Sequence, residues 1–134
     1  MPKRILVVED DENLLKLECI LLSSAGYLAW AAMTGPDALY DIANDLPDLI
    51  LLDIMLPGMD GFEVCKRLKM NARTQHIPVI FLSGKSSPED IHRGLQVGGD
   101  QYITKPFKSS ALMNSIQQVF ENKASPSTSQ RLLH

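Results

Sequence analysis

The sequence predicts a doubly wound α/β domain on a five-stranded parallel sheet with helices on both faces. Five short apolar runs alternate with five amphipathic segments, the rhythm of repeated βα units. Three of the runs, at Ile5, Leu49 and Val79, are almost continuously hydrophobic, as strands covered on both faces must be. Right-handed crossovers then bring all five strands into one parallel sheet.

The elements follow in order. A strand is expected over Arg4–Val8, then a helix over Asp11–Ala25 carrying Leu14, Leu17, Leu21 and Leu22, with Gly26 to end it. Tyr27–Ala32 is a more mixed strand and suits an edge. Thr34 is placed to cap a helix over Pro36–Asn44, and Pro47 ends the connection. After the strand Leu49–Leu52, a helix over Asp60–Met70 sets Phe62, Val64, Cys65 and Leu68 along one side. The strand Val79–Leu82 leads through Ser87 into a helix over Pro88–Val97, with Pro88 in the first turn, where its missing N–H costs nothing. The last unit is Gln101–Thr104 followed by a helix over Lys108–Glu121, with Leu112, Ile116, Val119 and Phe120 at helical spacing. There are no internal repeats.

Bulk properties narrow the function. The 134 residues are enough for one domain with a true core, and 45% hydrophobic with 22% charged argues against disorder. A net charge of −3 gives no reason to expect a nucleic-acid partner or an anionic membrane surface. The first apolar run is too short for a signal-peptide core, and no stretch approaches a membrane span, so a cytoplasmic protein is expected. Cys19 and Cys65 lie apart in helical patterns and are expected to be buried structural thiols. His76, His92 and His134 share no ligand spacing, so no metal role is assigned to them.

Polar residues stand at the ends of four of the apolar runs. Glu9 and Asp10 follow Val8, Asp53 follows Leu52, Ser83 follows Leu82, and Lys105 follows Thr104. Parallel sheets bind ligands at the carboxyl ends of their strands, so these residues would meet in one pocket. Three carboxylates crowded together need a cation or a proton to relieve them. Hard oxygen ligands suit Mg²⁺. Asp53 could then act as a nucleophile toward phosphorus, with Lys105 and the metal offsetting charge on the transferring group. Ser83 could donate to a phosphoryl oxygen, and Gly84 would keep the entrance open. Singly, each residue has a plainer reading as a helix cap or turn former. Together, four strand ends with compatible chemistry point to a site.

At these residues the chain closely resembles the receiver domain of two-component response regulators. The matching pieces are Ile5-Leu6-Val7-Val8-Glu9-Asp10-Asp11, Leu52-Asp53-Ile54-Met55-Leu56-Pro57-Gly58-Met59-Asp60-Gly61, Ile80-Phe81-Leu82-Ser83-Gly84 and Tyr102-Ile103-Thr104-Lys105-Pro106-Phe107. The resemblance implies a flavodoxin-like sheet of order 2-1-3-4-5 with the pocket at its switch point. It implies Asp53 as phosphoacceptor, and Mg²⁺ held by Asp10 and Asp53, by the Met55 carbonyl and, through water, by Glu9. Ser83 and Lys105 would contact the phosphoryl group, and Tyr102 would turn inward when Ser83 is drawn to it. The Lys105–Pro106 bond would be cis. Residues 1–123 would form the receiver, and 124–134 a flexible tail or the start of a linker, too short for an output domain.

Some positions depart from common patterns of that family. Met55, two residues past Asp53, and Lys85, two past Ser83, flank the line of water attack where many receivers carry polar or acidic groups. Gln101, Ala111, Ser115 and Gln117 stand where charged pairs often build a dimer through the fourth helix, fifth strand and fifth helix. That face is expected to meet a different downstream effector. Gly98-Gly99, where Gly-Ala is usual, is expected to loosen the approach to the last strand.

Two other classes fit less well. A haloacid-dehalogenase-like phosphatase would want an acid two residues after its nucleophile, where Met55 stands. A flavodoxin proper would want a Ser/Thr/Gly-rich first loop instead of Glu9-Asp10-Asp11-Glu12. The sequence reading is therefore a signalling switch that takes a phosphoryl group from a sensor histidine kinase or histidine phosphotransfer protein. It would catalyse only its own phosphotransfer and slow dephosphorylation. The alternative is a receiver-like binding module that is never phosphorylated.

Overall fold

The computed structural model describes residues 2–124. Strands and helices alternate through β1 (Arg4–Val8), α1 (Glu12–Ser24), β2 (Leu28–Ala32), α2 (Gly35–Asn44) and β3 (Leu49–Leu52), then α3 (Gly61–Lys69), β4 (Val79–Ser83), α4 (Pro88–Gln96), β5 (Gln101–Thr104) and α5 (Ser109–Ala124). The five strands are all parallel, in the order β2-β1-β3-β4-β5. The expected tail at 125–134 lies outside the described residues. None of the described helices is long and apolar enough to cross a membrane.

Alternate residues of the inner strands feed two cores, which explains why β1, β3 and β4 lack a polar face. Leu6, Val8, Ile50, Leu52, Val79 and Phe81 pack with Ala38 and Ile42 of α2 and with Phe62, Val64, Cys65 and Leu68 of α3. Ile5, Val7, Leu49, Leu51, Ile80 and Leu82 pack on the other side with Leu15 and Leu22 of α1 and Leu112, Ile116 and Val119 of α5. The mixed strand β2 is an edge, as expected. Cys65 is buried and its thiol donates to the Val97 carbonyl at 3.6 Å, whereas Cys19 is only half-buried.

Thr34 and Ser87 cap their helices as expected, while Asp60, expected as the first residue of α3, stands just before it as the cap. Thr34, Asp60 and Ser87 each accept a backbone N–H three residues on, at 2.9–3.1 Å. Asp11 caps α1, accepting from Asn13 and Leu14. The cap is therefore the third acid of the run, which leaves Glu9 and Asp10 for other work. Starting at Glu12 turns α1 so that Leu15, Glu18 and Leu22 face the sheet. The expected stripe is corrected accordingly: Leu17 is half-exposed, and Leu14 and Leu21 lie on the flank toward Pro106 and Phe107.

Two glycines permit close approaches. A Cβ on Gly99 would lie 2.6 Å from the Phe81 ring and 2.8 Å from the Gly94 carbonyl. Gly99 thus lets the chain pass close to a large core aromatic, while Gly98 before it takes a positive φ of 111°. At the first residue of α3, a Cβ on Gly61 would lie 2.2 Å from the Asp53 carbonyl oxygen. The Gly61 N–H donates to the Ile54 carbonyl at 2.9 Å, closing the turn after β3 over the start of α3. Gly61→Ala is expected to lower unfolding free energy by about 2–3 kcal/mol, because the backbone it meets cannot rotate away. Urea denaturation followed by circular dichroism measures this.

Candidate functional site

Strand register sets the site. Val8 pairs with Leu52, so Glu9 and Asp53 leave β1 and β3 at the same level. The Asp53 amide donates to the Val8 carbonyl at 3.0 Å and the Glu9 amide to the Ala32 carbonyl at 3.1 Å, so both acids leave from hydrogen-bonded backbone. On the other side Ser83 is the last residue of β4, not the first of a loop, and pairs with Thr104. The Lys105 amide then donates to the Ser83 carbonyl at 2.9 Å. The Lys105–Pro106 bond is cis.

Glu9 and Asp53 are buried, at 2% and 6% exposure, while Asp10 beside them is open to solvent. The Lys105 ammonium reaches past β4 to the ends of β3 and β1. It pairs with Glu9 Oε1 and lies 3.1 Å from Asp53 Oδ2. The remaining oxygens bind backbone: Glu9 Oε2 accepts from Asp11 N–H at 3.1 Å, and Asp53 Oδ1 from Met55 N–H at 3.2 Å. The turn-forming reading of Asp53 is thus also correct, and one carboxylate does both jobs.

Burial pushes the Glu9 carboxyl above its ordinary range, against the pull of Lys105 and the Asp11 amide. For Lys105 burial works downward, but the hydrogen bond to Glu9 and the charge of Asp53 overcome it and hold the ammonium firmly protonated. One cation thus serves two buried anions with a third acid at the rim.

Glu9, Asp10 and Asp53 offer carboxylate oxygens within 4.8 Å of one another. This is a donor set of hard oxygens with more negative charge than Lys105 neutralises, and it fits Mg²⁺. Its mouth is a cavity of about 450 Å³ lined by Asp10, Met55, Phe62, Lys85 and Arg93, among others. Met55 is largely exposed there. The Lys85 N–H donates to Ser83 Oγ at 3.3 Å. Tyr102 packs its ring on Phe81, with centroids 5.8 Å apart, and donates its hydroxyl to the Lys85 carbonyl. All seven residues singled out from sequence (Glu9, Asp10, Asp53, Met55, Ser83, Tyr102 and Lys105) therefore lie at this edge.

Two contributors had escaped the sequence. Arg93 lies over the Phe62 ring at 4.3 Å and walls the mouth; a lone surface arginine gives no signal. Glu18 of α1 is 1% exposed and feels the charges of Glu9, Lys105, Asp53 and Asp11. Its signal was legible as an acid at i+3 from Leu15 and i−4 from Leu22.

Fold and site together define a flavodoxin-like α/β domain with an acid-and-lysine centre at the strand ends. The response regulator receiver domain model matches residues 5–117, and the chain belongs to that family. It is 42% identical over 119 residues to the response regulator PleD of Caulobacter vibrioides, covering 89% of this chain and 26% of that protein. It is 41% identical over 119 residues to the phosphate regulon transcriptional regulatory protein PhoB of Escherichia coli, covering 89% and 52%. The chain thus spans between a quarter and about half of these relatives. Among solved structures, a CheY-like receiver domain protein from Methanospirillum hungatei superposes with TM-score 0.88 at 30% identity, covering 94% of this chain and 99% of that one. The chemotaxis protein CheY4 of Vibrio cholerae gives 0.84 at 29%, covering 89% and 99%.

Removing the shared cation should expose the cost of the buried acids. Lys105→Met is expected to lose about 2–3 kcal/mol at pH 7, below the full cost of breaking a buried pair because Lys105 keeps some solvent contact. Glu9 titrates higher in the folded chain, so its contribution to stability is complete below the ordinary value of 4.5 and fades as pH rises through the folded one. Without the pull of Lys105, Glu9 titrates higher still, so the variant gains more than the unmodified chain as pH falls. Its deficit should therefore shrink when urea unfolding is repeated near pH 5.

Proposed function

We propose that the domain accepts a phosphoryl group on Asp53 from a phosphohistidine of a sensor histidine kinase or histidine phosphotransfer protein. The observation that carries this reading is Lys105 bridging Glu9 and Asp53 beside Asp10, with carboxylate oxygens clustered for a cation. An Asp53 carboxylate oxygen forms the new bond to phosphorus as the histidine N–P bond breaks, and the histidine nitrogen leaves with its electron pair. Lys105 faces the charge of the transferring group, and Ser83 supplies a hydroxyl toward it. Mg²⁺ held by Asp10, Asp53, the Met55 carbonyl and, through water, Glu9 would neutralise phosphoryl charge when bound. The domain performs this transfer and the slow hydrolysis of the acyl phosphate, in the cytoplasm and with no other turnover. In that hydrolysis water attacks phosphorus, inorganic phosphate leaves and the Asp53 carboxylate is regenerated.

Signalling follows from the Ser83–Tyr102 region. A shift of Ser83 toward the phosphoryl group alters the Lys85 backbone, which holds both the Ser83 and Tyr102 hydroxyls. The face of α4, β5 and α5 would read that change for a downstream protein effector. There Ser115 donates to Gln101, and Gln101 to Gln118, in a network of neutral groups. That neutrality favours an effector other than a charge-paired second copy. Nucleic acid and membrane are not direct partners in this reading.

Intact mass after incubation with acetyl phosphate tests the proposal. A gain of about 80 Da that requires Mg²⁺ and is absent in Asp53→Asn is expected. No adduct on the unmodified chain would instead favour a binding module that works unphosphorylated. Exposed Met55 and cationic Lys85 stand beside the path of attacking water, so the phosphoryl group should be long-lived. Met55→Asn is expected to speed its loss several-fold; unchanged or slower decay of the adduct would refute this.

A further inference from the structure

Glu18 is a residue that neither the packing nor the phosphotransfer chemistry accounts for. It lies between Leu15 and Leu22 on the buried side of α1, and its Oε2 has no hydrogen-bond partner. A buried polar atom without a partner costs free energy that leucine at the same place would not. Stability of the fold therefore gives no reason for it.

Its surroundings give one. The core on this side of the sheet is otherwise apolar, with Val7 of β1, Leu51 of β3, Leu82 of β4, and Leu112 and Ile116 of α5. Every charge that acts strongly on Glu18 belongs to the site or its rim: Glu9 from the end of β1, Lys105 from β5, Asp53 from β3, and Asp11 from the cap of α1. Two further titratable groups face this core, the half-buried thiol of Cys19 and the Tyr27 hydroxyl, and burial raises both. Burial, reinforced by Glu9, Asp53 and Asp11 and opposed by Lys105, pushes the Glu18 carboxyl up to about 8. Burial without a hydrogen-bond partner for Oε2 thus favours the neutral carboxyl.

We propose that Glu18 couples divalent-cation binding at Glu9, Asp10 and Asp53 to the release of one proton from beneath them. This rests on the metal-binding reading of those acids. Two positive charges placed among the acids reverse the balance that keeps Glu18 neutral. The carboxyl O–H bond breaks, the proton passes to solvent, and the charge of the carboxylate left behind is offset by the cation and Lys105. Linkage makes the effect reciprocal: a proton on Glu18 weakens cation binding by the factor with which the cation favours its loss. The cation would load more readily as pH rises through the range where Glu18 titrates.

Calorimetric titration with MgCl₂ at about pH 6.5 and about pH 8.5 tests this on the intact chain and on Glu18→Gln. Buffers of different ionisation enthalpy count the protons released. In the unmodified chain affinity is expected to rise about tenfold more across the interval than in Glu18→Gln, the equivalent of about one pKa unit. The variant should keep only the rise that Glu9 supplies. Equal rises with equal proton release overturn the coupling and leave the metal site standing. Absence of binding to either protein overturns the metal reading and the coupling with it. The side-chain ¹³C carboxyl resonance of Glu18 provides a readout that needs no variant to fold. Its titration midpoint should fall when Mg²⁺ is added, and a midpoint that stays in place overturns the proposal.

Discussion

Two buried anions sharing one ammonium is the interaction on which the rest of this molecule turns. Glu9 and Asp53 leave adjacent strands at one level, out of reach of most solvent, and Lys105 arrives from β5, beyond β4, to pair with both. Charges in such a setting are tolerated only when paired and hydrogen-bonded. The structure meets that demand with the Asp11 and Met55 amides on the outer carboxylate oxygens. What remains uncompensated is negative, a charge balance that suits a cation at Glu9, Asp10 and Asp53.

The backbone around the site is arranged to hold these groups in register. Gly61 lets α3 start against the Asp53 carbonyl, so the acid sits on a strand end braced by a helix. The amide of Lys105 is tied to the Ser83 carbonyl, so β4 and β5 deliver hydroxyl and ammonium as one unit. Tyr102 is linked to the same unit through the Lys85 carbonyl and the Phe81 ring. Movement of one member is therefore felt by the others through short covalent and hydrogen-bonded paths.

Family membership and site geometry support each other without being the same argument. The receiver family accounts for the order of strands and the position of the acids. The neutral Ser115–Gln101–Gln118 network on the α4-β5-α5 face, the buried Glu18 and the Phe81–Gly99 contact are read from this chain's own geometry.

The sequence by itself determined the elements and the residues at their ends, because a strand buried on both faces must be apolar and must stop at the first polar residue. Glu9 and Asp53 were legible for that reason, whereas Lys105 follows the half-buried, mixed edge strand Gln101–Thr104 and was legible from its place in the order of βα units. Helix rotation was not: α1 holds leucines on several faces, and the cap at Asp11, with the packing against the sheet, decided that Leu15 and Leu22 go in and Leu17 stays out. A glycine's role was equally hidden, since Gly99 looks like slack in the sequence and is a tight contact in space. Sequence spacing states which groups can reach the strand ends. Distance, burial and the sharing of one lysine between two acids come from the strand pairing that places residues nearly a hundred positions apart within a hydrogen bond.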